Sequence, residues 1–153
     1  MKPITDFAFQ LGAKIALNAD FTIKKGGRYF LLNENLQRLI RKDFYYAGTY
    51  LGKVKDGKFF PSFNLLAMIA RGEANKIIVG KKAAWLFICG RDIFRKGILS
   101  VHGSQRKGDY TLVLNEFGEC LGFGKITHNL DTEGAQVAVK NISDIGDFLR
   151  REG

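Results

Sequence analysis

The residues of this 153-residue chain that could do bond-making chemistry are two histidines, two cysteines, a few serines and a Gly-Phe-Gly pair. None has the spacing for it. His102 and His128 each fall in or at the end of a strand-like stretch without a nearby carboxylate, so neither a metal-ligand set nor an acid–base pair is written around them. Ser100 and Ser104 lack the sharp strand–turn–helix context of a nucleophile elbow. Gly122-Phe123-Gly124 lacks the third glycine of a dinucleotide loop, and strand-like residues follow it instead of a helix. Cys89 and Cys120 are 31 positions apart with no CxxC, and apolar neighbours make both read as buried free thiols of a reducing compartment. Asp131 and Glu133 fall in turn-like sequence. The expectation is a chain without a catalytic residue, metal site or cofactor.

The residues that do cluster are cations. Lys81, Lys82, Arg91, Arg95 and Lys96 crowd 16 positions in which Asp92 is the single acid. Such a patch suits a phosphate backbone, where each neutralised contact steepens log affinity against log salt by about 0.7 for a single strand. Gly90, Gly97, Gly122 and Gly124 lie beside or within strand-like pieces. They read either as corners of a small barrel or as bare backbone that lets a phosphate approach. Phe94 and Tyr110 are candidates for stacking on bases, although strand aromatics more often belong to a core.

The charge is uneven. Residues 1–75 are net +6, residues 76–109 are also net +6 in half the length, and residues 110–153 are net −3, for a total of +9. An excess of this size points to an anionic partner, and nucleic acid is the commonest one. With 46% hydrophobic residues the chain can bury a core. Its longest apolar run, Ala83–Cys89, is far short of the ~20 residues that cross a bilayer, and no signal peptide is visible, so no membrane partner is expected.

Several elements would position these cations. Ile4, Phe7, Ala8, Leu11 and Ile15 follow helical spacing, with Thr5 as a candidate N-cap. Phe21–Ile23 and Tyr29–Leu32 read as strands around Gly26-Gly27, Asn33 as the cap of a short helix through Ile40, and Phe44–Val54 as a long strand turning at Asp56-Gly57 into Lys58–Phe60. Pro61 and Ser62 open a helix that buries Leu65, Leu66 and Ile69 and closes at Arg71 and Gly72. Residues 72–75 are the expected joint between two domains, 1–75 and 76–153. Beyond it, strands are expected at Lys76–Val79, Ile98–His102, Tyr110–Asn115, Cys120–His128 and Gln136–Lys140, with a helix at Lys81–Ile88. Residues 143–152, "SDIGDFLRRE", fit helix and strand alike.

Two stretches, "CGRDIFRKGI" (89–98) and "GECLGFGKI" (118–126), resemble the opening and central strand signature of a PUA domain, a small RNA-binding pseudobarrel. Upstream, "YYAGTYLGKVKDGKFFPSFNLLAMIA" (45–70) resembles the linking region of the Nip-seven family of large-subunit ribosome biogenesis factors, and 143–152 resembles that family's close. The resemblance implies an α+β fold: an N-terminal antiparallel sheet with flanking helices, followed by a PUA-type β-pseudobarrel. It implies a non-enzymatic protein that binds pre-rRNA with a preference for uridine-rich single strands and assists processing and subunit assembly; separately, a monomer is expected. It further implies contacts with the exosome and with the Shwachman–Bodian–Diamond protein orthologue; the free thiols and the compact length lead to the expectation of a cytoplasmic location, or a nucleolar one in a eukaryote.

By the same resemblance the RNA-contacting cations at the domain's end map onto Arg150 and Arg151. Further basic residues that some members carry beyond this point have no counterpart in the sequence. Arg150 and Arg151 are flanked by Asp144, Asp147 and Glu152, so they fit a basic face only if the end of the chain lies beside residues 81–98. In a strand, moreover, adjacent arginines would point to opposite faces. Two other readings stand beside this one. A protein–protein adaptor would bind RNA incidentally. An RNA-modifying enzyme would need an active site within residues 1–75, which hold no histidine or cysteine and six scattered carboxylates, Asp20 and Asp43 among them.

Overall fold

The computed structural model describes residues 2–15, 17, 19–32, 48–132 and 134–152, the side chains of residues 19, 148, 151 and 152 excepted. The helix expected after Asn33 and the first part of the strand expected from Phe44 lie outside the described residues. Helix α1, Lys2–Gln10, buries Ile4, Phe7 and Ala8. Thr5 does not cap it. The residue lies inside the helix, and its hydroxyl donates back to the Lys2 carbonyl at 3.1 Å.

A four-stranded antiparallel sheet follows, built from β1 (Thr22–Lys25), β2 (Arg28–Leu31), β3 (Thr49–Lys55) and β4 (Lys58–Pro61). Gly26-Gly27 and Asp56-Gly57 close its two hairpins with positive φ at both central positions, which matches the right-handed twist of the flanking strands. Helix α2, Phe63–Ala70, begins where Ser62 accepts from the Leu65 amide at 3.1 Å and donates to the Tyr50 carbonyl at 2.6 Å. Capping and burial of the serine are thereby satisfied together.

The second sheet holds β5 (Lys76–Val79), β6 (Ile93–Phe94), β7 (Ile98–His102), β8 (Tyr110–Leu114), β9 (Cys120–Ile126) and β10 (Val137–Asp144), in the order β6-β10-β9-β8-β5-β7. Only the β5–β8 pair is parallel. Helix α3, Lys81–Ile88, connects β5 to β6, and α4, Ile145–Glu152, ends the chain's described part. Two residues are too few to show a period, which is why β6 escapes a reading of the sequence. Strand β10 runs past the expected Lys140 because a bulge between Asn141 and Ser143 absorbs the break in alternation. Residues 143–152 therefore resolve into the end of that strand and a helix. Asp144 caps the helix by accepting from the Asp147 amide at 2.8 Å.

Strands β8 and β9 face two cores. On one side Val113 and Ile126 join Ile77, Val79, Phe87, Ile93 and Val139 under α3. On the other, Leu112, Leu114 and Phe123 pack with Phe7, Leu11, Leu65 and Leu66 of α1, α2 and the loop after α1. Asn75 ties the expected joint together. Its amide donates to the Leu11 carbonyl at 2.7 Å, its carbonyl accepts from Leu112 at 2.9 Å, Nδ2 donates to Tyr110 at 3.1 Å and Oδ1 accepts from Ser104 at 2.9 Å.

Candidate nucleic-acid interface

Helix α3 starts in an unusual electrostatic setting. Its N-cap is Gly80, which has no side chain to accept from the first amides, and its first turn carries no acid. Lys81 and Lys82 stand there instead, although the positive end of a helix dipole disfavours cations by a few tenths to ~1 kcal/mol each. Lys96 joins them across a cleft of about 420 Å3 that is also lined by Phe94, Leu99 and Leu86. Phe94 is 43% and Leu99 59% exposed. Asp92 lines the same cleft but accepts from the Asn141 amide at 2.9 Å, so its carboxylate is engaged.

The exposed positions of α3 are Lys81, Lys82, Trp85 and, just past it, Cys89. Spacings of four place Lys81, Trp85 and Cys89 on one stripe from the helix's start to its end, roughly 12 Å for eight residues. Trp85 is 64% exposed, with a lysine one turn before it. Sequence reasoning placed it within a greasy run and missed it. The available signal was the helical period, which sets Trp85 on the face of Lys81 and Lys82 and turns Phe87 inward. Cys89 lies on the surface, contrary to the expected burial. Cys120 is partly buried, and burial pushes its thiol up to about 11.

At its other end α3 closes on Gly90, with φ +91°, where the Gly90 amide donates to Phe87 at 2.9 Å and the Arg91 amide to Leu86 at 2.9 Å. This is the glycine-capped ending of a helix, and it explains why the chain leaves its core through a glycine. The end is held against α4. Asn141 Nδ2 lies within donating distance of the carbonyls of Phe87 (2.9 Å) and Arg91 (3.3 Å) and of Asp144 Oδ2 (3.1 Å). A side chain at Gly146 would overlap the Ile88 carbonyl, so only glycine lets the helices meet this closely. Arg150 then reaches the end of α3, with Nη1 3.5 Å from the Ile88 carbonyl and Nη2 3.9 Å from Asp144 Oδ1.

The structure thus brings Lys81, Lys82 and Lys96 together at one end of α3, and Arg150 to the other end, where the exposed Arg91 also lies. Arg95 is separate: its Nε donates to the Leu130 carbonyl at 2.8 Å and fastens the loop before β10. The Arg151 side chain lies outside the described residues.

At the four glycines expected to admit a phosphate, the structure shows packing and capping roles. The Gly90 amide is engaged in the helix cap. Gly97 lets Ala83 close against the turn after β6, since a Cβ there would stand 2.7 Å from that of Ala83. Gly122 and Gly124 are buried, and side chains there would overlap the backbone of β10 at Ser143 and Lys140. These glycines shape the barrel. Of the two aromatics named as stacking candidates, Phe94 is exposed, whereas Tyr110 is half-buried against Phe123, with ring centroids 5.7 Å apart.

A curled, six-stranded sheet with one parallel pair, closed by a helix whose exposed stripe is basic and aromatic, defines a PUA-type pseudobarrel. The chain belongs to the UPF0113 PUA domain family, whose model matches residues 75–153. A curated relative, the UPF0113 protein of Archaeoglobus fulgidus, is 31% identical over 114 residues, covering 71% of this chain and 63% of the relative, so the match spans less than two-thirds of that protein's length. A conserved PUA domain protein from Thermoplasma acidophilum superposes with a TM-score of 0.64 at 22% identity, over 99% of this chain and 92% of that one. A PUA domain from Aeropyrum pernix K1, solved as a tartrate complex, gives 0.52 at 22% identity over 61% and 56% of the two chains.

Proposed function

We propose that this protein binds single-stranded RNA along α3, without catalysing a reaction on it, and assists pre-rRNA processing and assembly of the large ribosomal subunit. The observation that carries the binding reading is the start of α3: two lysines where the helix dipole opposes them, no side-chain cap, and a third lysine across the cleft. An anion placed there would remove the repulsion and accept from the first-turn amides. A base could stack on Trp85 next along the stripe, and Arg91 and Arg150 would meet the following phosphates. Membership in a PUA domain family supports RNA as the polymer. The subunit-assembly role, the uridine preference and contacts with the exosome and the Shwachman–Bodian–Diamond protein orthologue rest on the family resemblance of residues 45–70 and 143–152, and a cytoplasmic location on the unpaired thiols.

The test is a salt-series titration of uridine-rich and adenine-rich oligonucleotides followed by anisotropy. The Lys81→Gln/Lys82→Gln/Lys96→Gln variant is expected to reduce the slope of log affinity against log salt by about 2, from ~0.7 per phosphate contact. A Lys14→Gln control on the exposed loop after α1 should leave it unchanged. Equal slopes for the triple variant and the wild type would refute the assignment. A specific feature favours the adaptor reading as second: Phe94 and Leu99 present apolar surface in the cleft, as a protein contact would need. Absence of saturable RNA binding at ~0.1 M salt would put that reading first.

A further inference from the structure

A second basic and aromatic surface lies away from α3. Lys125 of β9 is paired directly with Lys140 of β10, and both are exposed. Like charges directly opposite one another in a sheet are destabilising. Among the described residues no ion pair relieves either lysine. Tyr110 of β8 faces Lys125 from the other side, so Tyr110, Lys125 and Lys140 form one row across three strands on the same face. Phe123 lies two residues from Lys125 along β9 and therefore shares that face.

This row leads into a cleft of about 710 Å3 between the second sheet and the α1–β4 edge of the first. Tyr110, Phe123 and Ile142 form one wall, Phe59 and Phe60 the other. Its rim carries Lys2 and Lys58, opposed by Asp6. Phe60 and Ile142 are 44% and 45% exposed. Phe7 packs 5.1 Å from Phe123 and 5.6 Å from Phe59, which fixes the floor.

We infer that this cleft and its lysine row hold a second stretch of the single-stranded RNA bound at α3, with bases against the exposed Phe60 and Ile142 and the open edge of Tyr110, and phosphates at Lys125 and Lys140. The inference rests on the RNA-binding reading above. Charge selects the occupant: four lysines against one carboxylate attract an anion and repel a cation, and exposed aromatic surface beside ammonium groups is what an unpaired strand uses. The two surfaces can act together because both use β10 as support. Lys140 lies in that strand, while Asn141, the next residue, holds the end of α3.

The experiment compares oligouridylates of about 5 and about 20 nucleotides, bracketing the ~4–16 that a small barrel fold covers. Quenching of Trp85 reports the α3 surface, and anisotropy reports total affinity. The longer strand should show a steeper salt slope than the shorter, and Lys125→Gln/Lys140→Gln should remove about 1.4 of it, from ~0.7 per contact, while leaving the short strand's binding unchanged. Phe60→Ala should weaken only the long strand. If both strands bind with the same slope, or the double variant binds the long strand as the wild type does, this inference is overturned and the α3 assignment stands. If neither strand binds, both fall. Concentration-dependent self-association abolished by Phe60→Ala would instead give the cleft to a second copy of the chain and overturn the inference.

Discussion

Lys81 and Lys82 occupy the positions where a helix least tolerates cations, and Trp85 lies uncovered one turn later. A fold under selection for stability alone would place an acid at the first turn and an aliphatic or polar residue at position 85. The two thiols differ for a related reason of setting. Cys89 is open to solvent, whereas burial holds Cys120 protonated up to about 11. Alkylation at pH 8 should therefore modify Cys89 and spare Cys120 in the folded protein, as peptide mass mapping would show. The linked stability has a definite sign. The folded thiol keeps its proton above the ordinary value of 9.0, so its contribution is complete below pH 9.0 and is lost as pH rises toward about 11. Replacing Cys120 by alanine should flatten the fall in urea midpoint over that interval, and an unchanged fall would show that the thiol carries none of it. At this scale the sequence disclosed which residues are charged but not which are engaged: Arg95 on Leu130 and Asp92 on Asn141 depend on contacts 35 and 49 positions away.

The elements of both sheets were largely legible where period and punctuation agree. Helix α3, strands β5 and β7 and both hairpin turns follow from apolar spacing and from glycines that permit positive φ. What failed to show was set by long-range pairing. Strand β6 exists because β10 is beside it, and the ambiguous residues 143–152 divide at Asp144 because its carboxylate is placed to cap a helix. Asp144→Ala should destabilise the protein by at least about 0.5–2 kcal/mol through the lost cap together with the lost Asn141 contact. Denaturant unfolding would measure it, and a change within error of zero would mean that α4 is held by packing alone. The same variant frees Arg150 from its carboxylate neighbour, so RNA affinity should not fall with stability.

Across the whole molecule, one core joins the N-terminal helices to the outer face of the barrel, and Asn75 bridges α1's exit, β8 and the loop at Ser104. Asn75→Ala would leave the Tyr110 carbonyl and the Ser104 amide without this partner, and a loss of about 1–3 kcal/mol in unfolding free energy is expected. The net charge of +9 acquires a spatial sense in this frame. The acidic last third places Asp144 inward, while its cations Lys125, Lys140 and Arg150 stay exposed. Convergence of basic segments is realised at α3 only in part, with Arg95 turned aside and the lysine row of β9 and β10 on another face. The central claim is that RNA lies along α3 with a base on Trp85, and this is the only tryptophan in the chain. Its intrinsic fluorescence during titration with oligouridylate at ~0.05 and ~0.2 M salt tests the claim most directly. Saturable quenching whose midpoint moves to higher RNA concentration as salt is raised is predicted. Binding seen by anisotropy with the tryptophan signal unmoved would contradict it.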